Sequence, residues 1–420
     1  MRKKIWLLNH YATNMYESRG GRHFWFAKKL LGKGYEPVIF CANTFYNNNN
    51  QIDLDGKIYI KKIQEKIPFI FIKTIPSIGN GLKRILNMGL FYWNLKKVAK
   101  LYIKNNEKPD IILASSVHPL TLIAGIQIGK KYKIPCICEI RDLWPEAIFW
   151  FNKSKEKTLL GELLVLGEHW IYRNADALIF TKEGDTDYIK EKKWDKLQGG
   201  DIDLSKAYYI NNGIDKKQYD TLKEQVYQDD DLENNKFKVI YAGAIRPINN
   251  VGMIIDTAKE LEEQDVEFLI YGDGNEREKL EKRVQDENIK NVKFKGLVSK
   301  EKIPYILSKG SINLLNYSAT QYNWARGNSS NKLFEYMASG KPIISNVKMG
   351  YSILNKYKCG IELDNPNSKE LAQEILKIKN LSKEEYEKMG KNGIEGSKDF
   401  DFSILTEKLI RIIESFEDIL

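Results

Sequence analysis

The residues best suited to chemistry lie in NSSNKLFEYMASGKP, the segment 328–342. Ser330 and Asn331 are residue types that begin helices, and the apolar run after them ends at a glycine. A helix start offers free backbone N–H groups and a positive dipole end, so it suits a diphosphate, and Lys332 adds a full charge. Glu335 shares the face of Lys332, and its carboxylate can accept hydrogen bonds from two ribose hydroxyls. The alternative is a capped surface helix with an incidental lysine and glutamate.

Further candidates follow predicted strands, at the edge where parallel sheets bind ligands. Arg246 follows FKVIYAG, and an arginine there suits phosphate; the alternative is a solvated surface side chain. Gly20 and Gly21 follow KIWLLN and open a helix, which allows a ligand to approach the backbone closely. The GDG of VEFLIYGDG lacks the third glycine of a dinucleotide fingerprint, which argues against an NAD enzyme.

Polar residues also end two strands of the first half. Arg141 and Asp142 end PCICEI, where Asp142 is a candidate base toward an acceptor hydroxyl or the orienting partner of Arg141 in a structural ion pair. His118, in SSVHP, is a candidate for hydrogen bonding to a phosphate or a donor sugar. His10 and His169 are interpreted as structural.

Alternating strand and helix patterns must position these residues. The first half holds the strand-like runs KIWLLN, PVIFCA, DIILASS, PCICEI, ALIFTK and AYYINNGID, and the second holds FKVIYAG, VEFLIYGDG, NVKFKG, SINLLNY and KPIISN. Helical patterns separate many of them, which is typical of a parallel sheet covered on both faces. A polar, acidic stretch at 216–235 divides the two series. The sequence therefore predicts an α/β protein of two doubly wound domains.

The ordered motifs resemble glycosyltransferase family 4, of the two-domain GT-B fold. FKVIYAGAIRPINNVGMIIDTAKEL is similar to the opening strand, phosphate loop and helix of the family's second domain, and YYINNGID to the element that closes its first. VEFLIYGDGNEREKLEKR, NVKFKGLVSKEKIPYILSKG and SINLLNYS follow in the family's order. EIRDLWPE and RPINN resemble members that assemble bacterial surface polysaccharides. The resemblance covers nearly the whole chain.

The resemblance implies two Rossmann-like domains that face each other across a cleft, with a division of labour between them. It implies an acceptor-binding N-terminal domain over residues 1–215, a linker at 216–235, and a nucleotide-sugar-binding domain over residues 236–395. Residues 396–420 would form a helix that crosses back to the N-terminal domain.

The resemblance also implies roles for individual residues. The family has two glutamates eight apart; Glu335 matches the second, which binds the donor ribose, and the first falls on Gly327. Backbone groups of Gly327, Asn328 and Ser329, or the side chain of Arg326, would replace that first glutamate at the donor sugar. The usual basic residues fall on Ala244 and Asn249, which leaves Arg246 as the displaced diphosphate ligand beside Ser330, Asn331 and Lys332. Leu297 and Val298 would meet the base, Gly20 and Gly21 would border the acceptor and phosphate, and Asp142, Arg141 and His118 would be catalytic.

The implied activity is retaining transfer of a hexosyl or N-acetylhexosaminyl group from a UDP-sugar to a polyprenol-diphosphate-linked saccharide. The resemblance implies chemistry without a bound metal, and the lack of an acidic pair spaced for a metal agrees with it. No other cofactor is expected, since the nucleotide sugar is a substrate. Positive groups would then stabilise the leaving diphosphate. The pathway implied is the synthesis of capsule, O-antigen or exopolysaccharide.

Composition bounds the partners. The chain has 420 residues and a net charge of +10, which favours anionic partners. Residues 67–104 combine apolar and aromatic residues with lysines, as in a helix that lies on an anionic membrane; the alternative is a core-packed helix. We expect no signal peptide and no transmembrane helix, and hence a cytoplasmic protein, peripheral on the inner face of the plasma membrane. The four cysteines are expected to be buried thiols.

Three alternatives stay open at the level of sequence. A nucleotide-sugar epimerase shares this architecture and acts on the donor alone. A non-catalytic nucleotide-sugar-binding protein is compatible with the missing first glutamate. A nucleic-acid binder is suggested by the charge alone, and the dispersed basic residues with no recognition motif argue against it.

Overall fold

A computed structural model describes residues 3–79, 81–116, 118–150 and 152–416, which form two compact units. Unit 1 comprises Met1–Asn211 and Leu405–Leu420, and unit 2 comprises Asn212–Ile404. Residues 417–420 of the predicted C-terminal helix lie outside the described residues.

An eight-stranded sheet forms the centre of unit 1. Its strands are β1 Lys4–Leu8, β2 Glu36–Ala42, β3 Tyr59–Gln64, β4 Ile67–Ile72, β5 Ile111–Ser115, β6 Cys136–Ile140, β7 Ala177–Phe180 and β8 Ala207–Tyr209. The order is β3-β4-β2-β1-β5-β6-β7-β8, parallel except for the edge strand β3. The central strands are buried along their length, as expected for a sheet with helices on both faces. The direction of winding reverses between β1 and β5.

Seven α-helices among the described residues of unit 1 lie between these strands. They are α1 Thr13–Ser18, α2 Arg22–Gly32, α3 Leu82–Asn105, α4 Pro119–Tyr132, α5 Glu146–Phe149, α6 Leu159–Asn174 and α7 Asp185–Glu191. Both α3 and α6 pack against α4. All four cysteines are free and buried, as the sequence predicts.

Unit 2 repeats the architecture with six parallel strands. They are β9 Phe237–Ala242, β10 Val266–Tyr271, β11 Val292–Gly296, β12 Ile312–Leu315, β13 Ile343–Ser345 and β14 Gly360–Glu362, in the order β11-β10-β9-β12-β13-β14. Its helices are α8 Lys216–Lys223, α9 Asp230–Glu233, α10 Val251–Lys259, α11 Arg277–Asp286, α12 Ile303–Lys309, α13 Asn331–Ser339, α14 Ile353–Tyr357, α15 Ser368–Lys379 and α16 Lys383–Lys398. The prediction of two doubly wound α/β sheets is confirmed.

The polar stretch 216–235 forms α8 and α9 within unit 2. Its acidic run is held by the charges of β11: Asp229 accepts a hydrogen bond from Lys295 Nζ at 2.8 Å, and Asp231 pairs with Lys295 and Lys293. Asp229 also accepts a hydrogen bond from Tyr271 Oη at 2.8 Å. High polarity here therefore reflects ion pairing on a folded surface rather than an extended segment.

One segment differs from its predicted environment. Ile67–Ile72, expected to contribute to a membrane-facing region, is β4 and lies buried between β2 and β3. The exposed apolar residues of that region are Ile78 and members of α3. The C-terminal helix α17, Phe402–Glu414, buries Leu405, Leu409, Ile412 and Ile413. Lys33 and Tyr35 of unit 1 contact its Glu407 and Glu414.

Candidate active site

Helix α13 has no side-chain hydrogen bond that caps its N-terminus. Ser330 occupies the N-cap position, but its hydroxyl hydrogen-bonds to Tyr317 Oη at 2.7 Å instead of to the first turn. Asn328 Oδ1 accepts the backbone N–H of Ser330 at 2.8 Å, and Gly327 has φ +101°, a backbone conformation that favours glycine. The N–H groups of the first turn are therefore oriented by a fixed loop and are not consumed by Ser330.

Lys332 lies in the first turn of α13 between two tyrosine rings. Its Nζ is 4.9 Å from the ring centroid of Tyr241 and 4.6 Å from that of Tyr317, and it donates to Asn249 Oδ1 at 3.1 Å. None of the ion pairs of the described residues includes Lys332. Burial lowers the pKa of Lys332 to about 7, against which the charge of Glu335 acts. The groups in direct contact with Lys332 Nζ are therefore neutral, and the charge of Glu335 offsets only part of the cost of burying the lysine.

The loop after β9 completes the surroundings of Lys332. Tyr241 Oη and Asn249 Nδ2 both donate to the carbonyl of Ala244 at 2.8 Å, which fixes Asn249 Oδ1 toward the lysine. Asn316, buried after β12, donates to the carbonyls of Asn249 and of its neighbour at 2.8 and 2.6 Å. Ala244 and Asn249, where the family resemblance predicts basic residues, thus hold neutral groups that orient one lysine.

Two strand-end loops pack against each other here at backbone distance. A Cβ added to Gly272 would lie 1.8 Å from the carbonyl oxygen of Gly243, and one added to Gly274 would lie 2.1 Å from that of Ile245. The GDG segment therefore serves close packing of the β9 and β10 loops.

Glu335 lies one turn beyond Lys332 on α13 and is half-buried. Burial raises the pKa of Glu335, and the positive charges of Lys300 and Lys332 oppose that shift. Its carboxylate stays beside the lysine but outside ion-pair distance, so that it is available to accept hydrogen bonds.

The other predicted residues of unit 2 surround this point unequally. Arg246 is exposed and begins the short turn Pro247–Asn249, and Leu297 is exposed after β11 while Val298 is half-buried. Arg326 and Asn328 are buried, and the carbonyl of Ser329 accepts a hydrogen bond from Asn212 Nδ2 at 2.6 Å. The structure brings Ser330, Lys332 and Glu335 together on α13 and shows no contact of Arg246 with them.

In unit 1, Gly20 and Gly21 precede a buried charge network. Arg22, at the start of α2, donates from Nε to Glu139 Oε1 at 2.6 Å, and His23 Nε2 lies 2.9 Å from Glu139 Oε2. Arg22 also donates to the carbonyls of Ile210 and Asn211. The pKa of Glu139 lies well below its usual value because Arg22 and His23 outweigh its burial. This network fixes the glycine loop against β6 and β8.

Arg141 and Asp142 do not form the ion pair considered from the sequence. Asp142 Oδ1 lies 3.8 Å from Lys182 Nζ, and the Arg141 backbone N–H donates to Ser116 Oγ at 2.9 Å. Arg141 Nε is buried and makes no hydrogen bond with the described residues. The Asp142 carboxylate therefore lies near Lys182, while Arg141 is held through its main chain.

His118 begins α4 and is buried against a second histidine. Its Nε2 lies 2.6 Å from Nδ1 of His10, and the His10 ring stacks on Phe91 with centroids 4.2 Å apart. Burial lowers the pKa of His118 to about 3 and that of His10 well below its usual value. Both rings are therefore neutral, and His10 belongs to the same site as His118.

Sequence reasoning missed Tyr241, Tyr317, Glu139 and the role of His10. Tyr241 and Tyr317 stand near the ends of FKVIYAG and SINLLNY, so the strand-end rule that selected Arg246 also covers them. Glu139 lies inside an otherwise apolar strand, where a buried carboxylate requires a charged partner.

Helix α3 presents apolar side chains to solvent. Leu82, Ile85, Leu86, Leu90 and Trp93 are between 37% and 78% exposed. Among the described residues no helix is long and apolar enough to span a bilayer, and no group of three or more His, Cys, Asp or Glu side chains is placed to hold a metal ion.

Residues 223–396 match the family model of the group 1 glycosyl transferases. An uncharacterized glycosyltransferase of Methanocaldococcus jannaschii is 24% identical over 328 residues, which cover 77% of this chain and 80% of that protein. The matched segment includes α13 and the loop after β9. The comparisons support a glycosyltransferase of the GT-B type.

Solved structures of low identity show the same fold. Sucrose-phosphate synthase of Thermosynechococcus elongatus has a TM-score of 0.74 at 16% identity, with all of both chains covered. Anabaena HepE in complex with UDP-glucose has a TM-score of 0.66 at 15% identity, covering 99% of this chain and 100% of that one. The predicted GT-B fold, with its two Rossmann-like domains, is confirmed.

Proposed function

We propose that this protein transfers a sugar from a nucleotide-diphosphate donor, a UDP-sugar, to a lipid-linked saccharide. The observation that carries the proposal is Lys332, a half-buried cation at a helix start with no carboxylate partner among the described residues. Such a charge is costly unless an anion compensates it. A diphosphate placed over the first turn of α13 would meet both the lysine and the backbone N–H groups.

Around that diphosphate, the other donor contacts follow the geometry of unit 2. Glu335, one turn on, would accept the ribose hydroxyls, and Leu297 and Val298 after β11 would meet the base. Arg246 is exposed at the end of β9 and would reach the diphosphate from solvent. The UDP-glucose complex of HepE, a protein of the same fold, supports uridine as the base.

Donor-sugar recognition would rely on the main chain. Gly327 stands where the family's first glutamate is expected and has no side chain to offer, while its φ of +101° exposes the peptide groups that follow. Backbone groups of Gly327, Asn328 and Ser329 would hold the sugar hydroxyls, with Arg326 buried beside them.

The proposed reaction retains the anomeric configuration and needs no metal. The bond between the anomeric carbon and the β-phosphate oxygen breaks, the acceptor oxygen bonds to that carbon on the same face, and the acceptor proton passes to the leaving phosphate oxygen. Lys332 and the start of α13 would stabilise the charge on the diphosphate. In unit 1, Asp142, Arg141 and His118 are the proposed catalytic residues, and Gly20 and Gly21 would border the acceptor.

The proposed acceptor is a polyprenol-diphosphate saccharide of capsule, O-antigen or exopolysaccharide synthesis, met at the inner face of the plasma membrane. The exposed apolar face of α3 supports this, because basic residues flank it and an anionic bilayer would receive both. The protein should co-sediment with vesicles of anionic phospholipid. The double variant Leu86→Ser/Trp93→Ser should bind the vesicles more weakly. The control Val226→Ser alters an equally exposed apolar residue in unit 2.

The test of function is a panel of radiolabelled UDP-, GDP- and ADP-sugars incubated with membrane lipid extract. We expect label to enter the lipid fraction from one UDP-sugar, with no requirement for added divalent cation. Lys332→Met should abolish the transfer, and Lys290→Met, an exposed lysine of unit 2, should not.

Other outcomes identify the alternatives. An epimerised nucleotide sugar formed without an acceptor would indicate an epimerase. Saturable UDP binding with neither transfer nor hydrolysis of any donor would indicate a non-catalytic binding protein. No binding of any nucleotide would refute the donor site itself.

A further inference from the structure

Unsatisfied polar atoms gather at one place in unit 1, away from the charge network of Glu139. Six buried side-chain atoms there have no hydrogen-bond partner among the described residues. They are His10 Nε2, Tyr11 Oη, Arg84 Nε, Asn87 Oδ1, His118 Nδ1 and Thr121 Oγ1. Buried polar atoms are normally paired; His10 Nε2 and Asn87 Oδ1 suit each other, and the remaining four call for a ligand or for ordered solvent. We call these residues the switch-point cluster.

The cluster lies where a parallel sheet binds ligands. His10 and Tyr11 follow β1, and His118 follows β5, the two neighbouring strands between which the winding reverses. Ligands of open α/β sheets bind at that reversal, outside the carboxyl ends of the strands. Arg84 and Asn87 come from the first two turns of α3, which brings a third element to the same point.

Side-chain contacts join the members into one group. The rings of His10 and Tyr11 stack with centroids 4.3 Å apart, and those of Tyr11 and His118 are 6.2 Å apart. The guanidinium carbon of Arg84 lies 5.9 Å from the Tyr11 ring and 4.4 Å from that of Tyr46. Tyr11 and Arg84 are partly exposed, whereas the two histidines and Asn87 are buried, so the cluster has an open side and a closed end.

The hydrogen bonds at the closed end of the cluster determine whether Nδ1 of His118 can donate or accept a hydrogen bond. Asn87 donates from its amide nitrogen to the carbonyl of Ile75, which leaves Oδ1 as an acceptor for His10 Nε2–H. A hydrogen bond from His10 to Asn87 acts to raise the pKa of His10, as expected when the imidazole is the donor. His10 Nδ1 is then unprotonated and accepts from Nε2–H of His118. A neutral His118 protonated at Nε2 has a bare Nδ1. That atom accepts a hydrogen bond from a hydroxyl and cannot donate to phosphate.

The open side favours an anion. None of the ion pairs of the described residues includes Arg84, and its positive charge lowers the pKa of both His10 and His118. Arg84 Nε–H and the Tyr11 hydroxyl are unused donors. An arginine fork beside a phenol matches the oxygens of a phosphate.

We infer that the switch-point cluster binds a sugar phosphate, with the phosphate on Arg84 and Tyr11 and a sugar hydroxyl on Nδ1 of His118. The inference rests on the proposed function. It places the phosphorylated end of the acceptor beside α3 instead of beside the Gly20–Gly21 loop. His10 and Asn87 are positioning residues, because they act through the tautomer of His118. A lipid-linked diphosphate and a soluble sugar phosphate present the same chemistry to these groups.

Binding is tested in a Lys332→Met background, which removes the proposed anion site of unit 2. Isothermal titration with dodecyl diphosphate and with glucose 6-phosphate measures the dissociation constants. Arg84→Gln should weaken binding of the preferred ligand about tenfold or more, whereas Lys83→Gln, the exposed neighbour with the same charge, should leave it within about twofold. Tighter binding of dodecyl diphosphate identifies a lipid-linked source, and tighter binding of glucose 6-phosphate a soluble one. Equal binding by the Arg84→Gln and Lys83→Gln proteins would overturn the inference.

The orientation of His118 is tested without any ligand. The chain has four histidines, so a histidine-selective ¹⁵N spectrum is small enough to assign with a His118→Gln sample. In the free protein we expect Nε2 of His118 to be protonated and Nδ1 to be bare. Added glucose 6-phosphate, which carries sugar hydroxyls, should then shift Nδ1 in the Lys83→Gln protein more than in Arg84→Gln. A protonated Nδ1 would contradict the assignment.

The proposed donor site and the proposed switch-point cluster can be refuted independently of each other. In the wild-type background, UDP affinity should be the same in Arg84→Gln and Lys83→Gln. If UDP binds to neither while the Arg84-dependent binding persists, the proposed function fails and the cluster stands. If UDP binds and the Arg84-dependent binding is absent, the cluster fails and the donor site stands.

Discussion

Binding of UDP should become weaker as pH rises from 7 to 9, because Lys332 must be charged to hold the diphosphate. Burial between Tyr241 and Tyr317 lowers the pKa of Lys332 to about 7 in the free protein. Half of the molecules therefore carry the charge at pH 7 and about one in a hundred at pH 9. If only the charged form binds, the dissociation constant rises about 50-fold over that range. The diphosphate itself is already about nine-tenths ionised at pH 7, since its last pKa is about 6.

Isothermal titration at pH 7, 8 and 9 in buffers of different ionisation enthalpy measures both affinity and proton uptake. The protein should take up about half a proton on binding UDP at pH 7 and about one at pH 9, because the phosphate restores the lysine's charge. Lys332→Arg stays charged throughout and should bind with no such slope. Lys332→Met should bind weakly at every pH.

A flat affinity between pH 7 and 9 in the wild-type protein would refute this reasoning. So would an equal slope in Lys332→Met, since another group would then be responsible. Lys290→Met, which changes an exposed lysine of unit 2, should retain the wild-type slope.

Three further outcomes follow from other parts of the chain. Glu335→Gln should weaken UDP binding about tenfold and 2′-deoxy-UDP binding much less, because the carboxylate is assigned to the ribose hydroxyls; equal losses measured by titration would contradict that role. Gly272→Ala should lower the melting temperature by several degrees, since its Cβ would lie 1.8 Å from a backbone oxygen, whereas Gly167→Ala in α6 meets nothing within 4 Å and should be neutral or stabilising. Burial raises the pKa of Glu168 to about 8, above the value in the unfolded chain. The contribution of Glu168 to stability is therefore complete below about pH 4.5 and is lost as pH rises to 8. Glu168→Gln should remove that part of the pH dependence of the melting temperature.

The strands were predictable because their apolar runs are buried on both faces of two parallel sheets. KIWLLN, PVIFCA and VEFLIY each form a central or near-central strand, and only their ends differ by a residue or two. Strand β3, YIKKIQ, escaped prediction because it is an exposed antiparallel edge whose lysines hide its alternation. Strand β14 escaped because three half-buried residues carry no pattern.

Some residues of the candidate site were likewise predictable from the sequence and others were not. Lys332 and Glu335 were predictable because a helix start and a one-turn spacing are local features. The partners of Lys332 were not, since Tyr241 comes from another strand and its approach depends on how the loop after β9 closes. The His10–His118 pair joins residues 108 apart in sequence, so only the adjacency of β1 and β5 reveals it.

The cost of Lys332 separates a ligand-binding role from a structural one. A lysine whose folded pKa is depressed binds its proton less well in the folded than in the unfolded chain, so the penalty is complete below pH 7 and vanishes as pH rises toward 10.5. A shift of this size costs on the order of a few kcal/mol at neutral pH. Lys332→Met should therefore raise the melting temperature of the free protein at pH 7 and remove the further rise that UDP produces. A structural lysine, held by its contacts with Asn249 and the two rings, would show the reverse, with a lower melting temperature in Lys332→Met and an undiminished response to UDP. Differential scanning calorimetry of both proteins, with and without UDP, decides between these roles, because the two pairs of shifts have opposite signs.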